Sequence, residues 1–147
     1  MTIRSRALSL VLRLAIAGVF LFAGVEKWRG AHEFVEQIAN YQFYPELAPW
    51  VALLLPPFEV VSALAVLFMR RRWRQAGAVV MVGLLLMFTV AMARALVLGI
   101  NIECGCFGKG SPNIGPMSFV RNGLLIAVCV AILWLDRERP NRAVPLA

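Results

Sequence analysis

The sequence predicts an all-α membrane protein, a four-transmembrane-helix bundle in up-down order. Two observations carry this. Hydrophobic residues make up 61% of the 147-residue chain against 16% charged, with a mean hydropathy of +0.76, and they come in blocks about as long as a bilayer is thick. The charges collect between and beside these blocks, whereas a soluble domain would interleave them throughout. One transmembrane domain covering residues 1–147 is the economical reading.

The first span is drawn from about Ala7 to Val25, the second from about Trp50 to Met69, the third from about Gln75 to Ile100 and the fourth from about Phe119 to Leu135. At about 1.5 Å per residue, stretches of roughly 17 to 26 residues reach about 25 to 39 Å, enough to cross a hydrocarbon core of about 30 Å. The third is long enough to tilt or emerge at one end. Arg4 and Arg6 ahead of the first span also fit a cleaved signal peptide. Against that reading, Arg13 interrupts the stretch, the run exceeds a signal core, and Glu26-Lys27-Trp28-Arg29 follows without a small-x-small cleavage site.

Arginines set the orientation. Arg4 and Arg6 precede the first span, Arg70, Arg71, Arg72 and Arg74 fill the link between the second and third, and Arg137, Arg139 and Arg142 follow the fourth. All three regions lie on one side of a four-span chain. In a bacterial cytoplasmic (inner) membrane, the positive-inside rule then makes both termini cytoplasmic and puts the opposite loops on the outer, oxidising face. The net charge of +7 is accounted for by these flanking arginines, so it argues for a lipid bilayer as the partner and not for nucleic acid.

The two outer connections differ. Gly30 to Pro49 contains His32, Phe34, Val35, Ile38, Tyr41, Phe43 and Tyr44, the pattern of a short amphipathic segment lying along the membrane surface before Pro45 and Pro49 interrupt it, and a candidate lid. Asn101 to Ser118 holds four glycines and two prolines and reads as a turned loop. It carries Cys104-Gly105-Cys106-Phe107-Gly108.

Two cysteines one residue apart close a disulfide only if their Cβ atoms come within about 3.5–4.5 Å, a bend that Gly105 eases. So small a ring is strained and more easily reduced, which suits an exchange-active bond better than a structural staple. Lys109, Arg94 and Arg121 are cations that would favour a thiolate, and Glu103 opposes them. Arg121 and Lys109 also fit plain interfacial snorkelling. Cys129 lies about 15 Å deeper along the fourth span, too far to pair, and reads as a small packing residue.

Buried charge forms a second constellation. Glu59 lies about 13 Å into the second span, where a carboxylate needs a partner or a proton. Arg94, about 9 Å inside the outer end of the third span, and Lys27 at the end of the first are the candidate partners. Pro56 and Pro57 precede Glu59, and a kink there would open space. The arrangement reads either as a polar pocket that relays a proton or holds a quinone head group, or as an ion pair fixing helix packing. Arg13 reads as a snorkelling residue.

Gly24-Val25-Glu26-Lys27, Pro56-Pro57-Phe58-Glu59, Cys104-Gly105-Cys106-Phe107-Gly108 and Arg121-Asn122 together resemble the MauE branch of the DoxX-like membrane proteins, over nearly the whole chain. The resemblance implies a four-helix, redox-associated membrane protein acting with a thioredoxin-like partner. The namesake serves maturation of methylamine dehydrogenase, whose small subunit is rich in disulfides. Read beside the residue chemistry above, Cys104 and Cys106 are the expected reactive pair, with Lys27, Glu59, Arg94, Arg121 and Asn122 as supporting pocket residues. Four-span thiol oxidoreductases that relay electrons to quinone use two cysteine pairs, and this chain has one on its outer side. Either Cys104 or Cys106 must then form a mixed disulfide directly with a partner while the other resolves it. Two readings from other classes stand beside this one: a copper(I) or soft-metal module with Met117 as a weak third ligand, and a non-catalytic assembly scaffold.

Overall fold

The computed structural model describes residues 3–42, 44–100 and 114–137. It is helical, with no strand among the described residues. Helix α1 spans Ile3–Arg29 and α2 Ala31–Asn40; a 3-10 turn, Pro45–Leu47, leads into α3, Ala48–Phe68, followed by α4, Arg71–Val97, and α5, Pro116–Arg137. Among the described residues, α1, α3, α4 and α5 are long and apolar enough to cross a membrane. They form a ring in chain order, α1 against α3, α3 against α4, α4 against α5, with a sparser seam closing α5 on α1.

The distribution of side chains is that of a protein in lipid. Large apolar residues such as Leu10, Leu14, Phe22, Leu53, Val61 and Leu124 are exposed, while Ser9, Lys27, Glu59, Ser62, Asn122 and Asp136 are buried. The helices meet through small residues, among them Ala17, Ala63, Ala65, Gly77 and Ala78, because without a hydrophobic drive between helices, close backbone approach supplies the attraction. At Gly77 a Cβ would stand 2.9 Å from the Ser62 carbonyl oxygen, so α4 and α3 need glycine there. All four tryptophans are exposed, Trp28 and Trp50 at one end of the bundle and Trp73 and Trp134 at the other, as the two interfaces of a bilayer require.

Several boundaries differ from expectation. Helix α1 continues through Glu26-Lys27-Trp28-Arg29, and α5 begins at Pro116, a residue suited to a first turn because its missing N–H has no intrahelical partner to lose. The link between α3 and α4 is only Met69 and Arg70, so Arg71, Arg72 and Arg74 lie in the first turn of α4 and do not form a loop. Pro56 and Pro57 leave the carbonyls of Ala52 and Leu53 without their helical donors, yet α3 runs unbroken through both. The amphipathic segment is real: α2 packs on α3 and buries Phe34.

Candidate functional site

Gly24 and Lys27 lie one turn apart on α1, and Pro56 and Glu59 one turn apart on α3. A Cβ on Gly24 would stand 3.0 Å from Val60 Cγ2, 3.3 Å from the Pro56 carbonyl oxygen and 3.5 Å from Glu59 Cβ. The missing side chain therefore lets the two helices close on each other, which brings Lys27 within reach of Glu59. Lys27 Nζ donates to Glu59 Oε1 at 2.5 Å, with the residues 1% and 3% exposed. Two rings flank the ammonium: the Phe34 centroid of α2 is 5.6 Å from Nζ and the Phe88 centroid of α4 is 5.1 Å. Ring faces attract a desolvated cation, so one lysine draws α1, α2, α3 and α4 together.

Asn122 is buried on α5 and donates through Nδ2 to Thr89 Oγ1 at 3.2 Å, while the Thr89 hydroxyl donates to the Leu85 carbonyl at 2.7 Å. Between this pair of residues and the charge pair is a cavity of about 20 Å³ whose lining includes Phe20, Glu59, Leu85, Phe88 and Asn122. Glu59 Oε2 is buried and has no hydrogen-bond partner among the described residues. The space suits a single water, which would satisfy that oxygen.

One reading of the sequence places a polar pocket, for a proton relay or a quinone head group, at Glu59, Arg94 and Lys27. The cavity at Glu59 is water-sized, and Arg94 is exposed one turn from the end of α4. Arg121 is half-buried and does not line the cavity. Cys104 and Cys106, with Glu103 and Lys109, lie outside the described residues. Cys129 is fully buried in the core beside Ile132, Ile16 and Phe20.

The opposite end of the bundle holds a second charged cluster that sequence reasoning missed. Asp136 is fully buried and accepts from Arg74 Nε at 2.5 Å, Arg74 Nη2 at 3.0 Å and Arg13 Nη2 at 3.1 Å; Arg13 Nη2 also reaches Ser9 Oγ at 2.8 Å. Arg13 is thus not a snorkelling residue, because α5 offers it the Asp136 carboxylate inside the bundle. The available signal was Asp136, an acid at the tip of a span beside arginines. Thr89, Phe34 and Phe88 carried no comparable signal, since hydroxyls and rings are ordinary in apolar spans.

These features define a class: a multi-pass four-helix membrane protein whose interior is held by buried charge at both ends. The chain belongs to the family described as Methylamine utilisation protein MauE, whose profile matches residues 5–135. It is similar to the Methylamine utilization protein MauE of Paracoccus denitrificans, with 36% identity over 126 residues, 82% of this chain and 66% of that protein. The match therefore spans just under two thirds of the relative's length. No solved structure matches the chain.

Proposed function

We propose that this protein is a thiol-disulfide redox protein of the bacterial inner membrane, with both termini cytoplasmic and the Cys104-Gly105-Cys106 pair facing outward. Its partner is an extracytoplasmic thioredoxin-fold protein, and its role is the maturation of disulfide-containing proteins, as in methylamine utilisation. The observation that carries the reading is the single Cys-Gly-Cys pair in a chain that belongs to the MauE family. Supporting it, Ile100 and Ile114, which flank the cysteine-bearing segment, pack against the cluster of Tyr41, Met92 and Ala95 at the Lys27–Glu59 end of the bundle.

The exchange balances in two steps. A thiolate of the pair attacks a partner disulfide, forming a mixed disulfide and releasing one partner thiolate. The second cysteine, as thiolate, then attacks the mixed disulfide, releasing the other, so two electrons pass to the partner and Cys104 and Cys106 are left bonded. The reverse sequence reduces the pair. In that reverse direction a membrane quinone is the proposed acceptor that reoxidises the pair, and in the forward direction a quinol is the donor that reduces it. Cys104→Ser and Cys106→Ser variants test the reading, since one of them should accumulate a mixed disulfide with a thioredoxin-fold protein that dithiothreitol releases. Failure of both variants to trap a partner, with the reduced wild-type pair inert to alkylation, would refute it.

A further inference from the structure

A second, much larger cavity lies between α2, the 3-10 turn and the outer halves of α3 and α4. Its volume is about 480 Å³, within the range of small-molecule sites. Four rings line it, those of Phe34, Tyr41, Tyr44 and Phe88, together with the amide of Gln37. The lining also includes Leu86, Met87 and Val90 of α4, which are 50%, 46% and 60% exposed on the apolar surface. A ligand can therefore enter sideways from lipid. Phe34 and Phe88 are also the two rings that flank the Lys27 ammonium, so the buried charge pair stands directly behind the cavity wall.

We propose that this cavity binds the ring of a membrane quinone. Exposed Tyr44 and half-buried Phe88 offer ring faces to a flat molecule, with buried Phe34 and Tyr41 behind them. Gln37, Tyr41 and Tyr44 are side chains able to donate hydrogen bonds to ring carbonyls, and the lipid-facing side admits an isoprenoid tail. A phospholipid acyl chain would use neither the aromatic faces nor the donors. The electrons rest on the redox reading above: oxidation of two thiols breaks two S–H bonds, forms one S–S bond and releases two electrons and two protons. Reduction of a quinone to its quinol takes up the same two electrons and two protons in two O–H bonds.

The test is quinone retention by the full chain in phosphatidylcholine nanodiscs, with decylubiquinone as the probe and empty nanodiscs as the control. Wild type should retain about one quinone per chain, saturably. Ala91→Trp, which places an indole in the cavity from α4, should weaken retention about tenfold or more. Val79→Trp, on an exposed part of α4 outside the lining, should retain it unchanged. Gln37→Leu should weaken it about fivefold, the worth of one neutral hydrogen bond, and its melting temperature shows whether the fold is kept. Non-saturable retention by wild type, retention by folded Ala91→Trp equal to wild type, or equal competition by a ringless dodecyl chain would each overturn the proposal. A Cys104→Ser/Cys106→Ser double variant separates the two readings, because it should still bind. Saturable binding with failed disulfide trapping removes the redox reading alone, and trapping without binding removes the quinone site alone.

Discussion

Removing either Lys27 or Glu59 strands its partner's charge inside the bundle, where neither residue is more than 3% exposed. Lys27→Met or Glu59→Leu alone is expected to destabilise the protein by about 3–5 kcal/mol, whereas the double replacement recovers most of that loss. A double-mutant cycle of unfolding in detergent micelles checks it, and additive losses would show that the two side chains do not depend on each other. Asp136→Ala should likewise cost more than Arg13→Met, because it leaves two buried guanidinium groups with no shared carboxylate; the same unfolding measurement ranks them. Glu59 was legible in the sequence because a carboxylate mid-span must find a partner. The choice between Lys27 and Arg94 was not, since it turns on which way each helix faces: Arg94 falls beside buried Met92 and Ala95 but points outward. Asp136 gave only a faint signal, for another reason. At the end of a span beside Arg137 a charge is ordinary, and only the packing of α1 and α4 against α5 encloses it.

At the scale of the helices, the glycines differ by what surrounds them. A Cβ at Gly77 meets the Ser62 carbonyl at 2.9 Å, while one at Gly83, on the same helix, meets nothing within 4 Å. Gly77→Ala is therefore expected to destabilise by about 1–3 kcal/mol as α4 is pushed from α3. Gly83→Ala should be neutral or gain up to about 1 kcal/mol. Thermal melts of the two variants decide it, and an equal response would contradict the close approach. The four long helices could be drawn from the apolar blocks alone, but their ends could not. Arg71, Arg72 and Arg74 look like loop residues by charge, yet they continue α4, because arginine is a good helix former and its long stem reaches from the first turn to water or to Asp136. The amphipathic character of α2 was visible in the spacing of Phe34, Val35 and Ile38. Its anchoring was not, because Phe34 is held by a lysine three residues upstream of Gly30, from a different helix.

For the whole molecule, the arginine-rich end holds the Arg13–Asp136–Arg74 cluster and the opposite end holds Lys27–Glu59, α2 and the larger cavity. The proposed orientation, which follows the positive-inside rule, puts the first end in the cytoplasm. A fluorescent protein fused after Ala147 should accordingly be bright and an alkaline phosphatase fusion there inactive; the opposite pattern would invert the orientation. In the proposed orientation Cys104 and Cys106 belong to an oxidising compartment, and their proposed exchange chemistry is the central claim. It is tested most directly by equilibrating the purified full chain across a series of thiol-disulfide buffers, alkylating, and reading the intact mass. Cys104 and Cys106 should gain and lose their labels together as one two-electron couple, at a potential above the roughly −300 mV below which structural disulfides fall, while core-buried Cys129 stays unlabelled throughout. A pair that titrates below that potential, or that never takes up label in the reduced protein, would contradict the account.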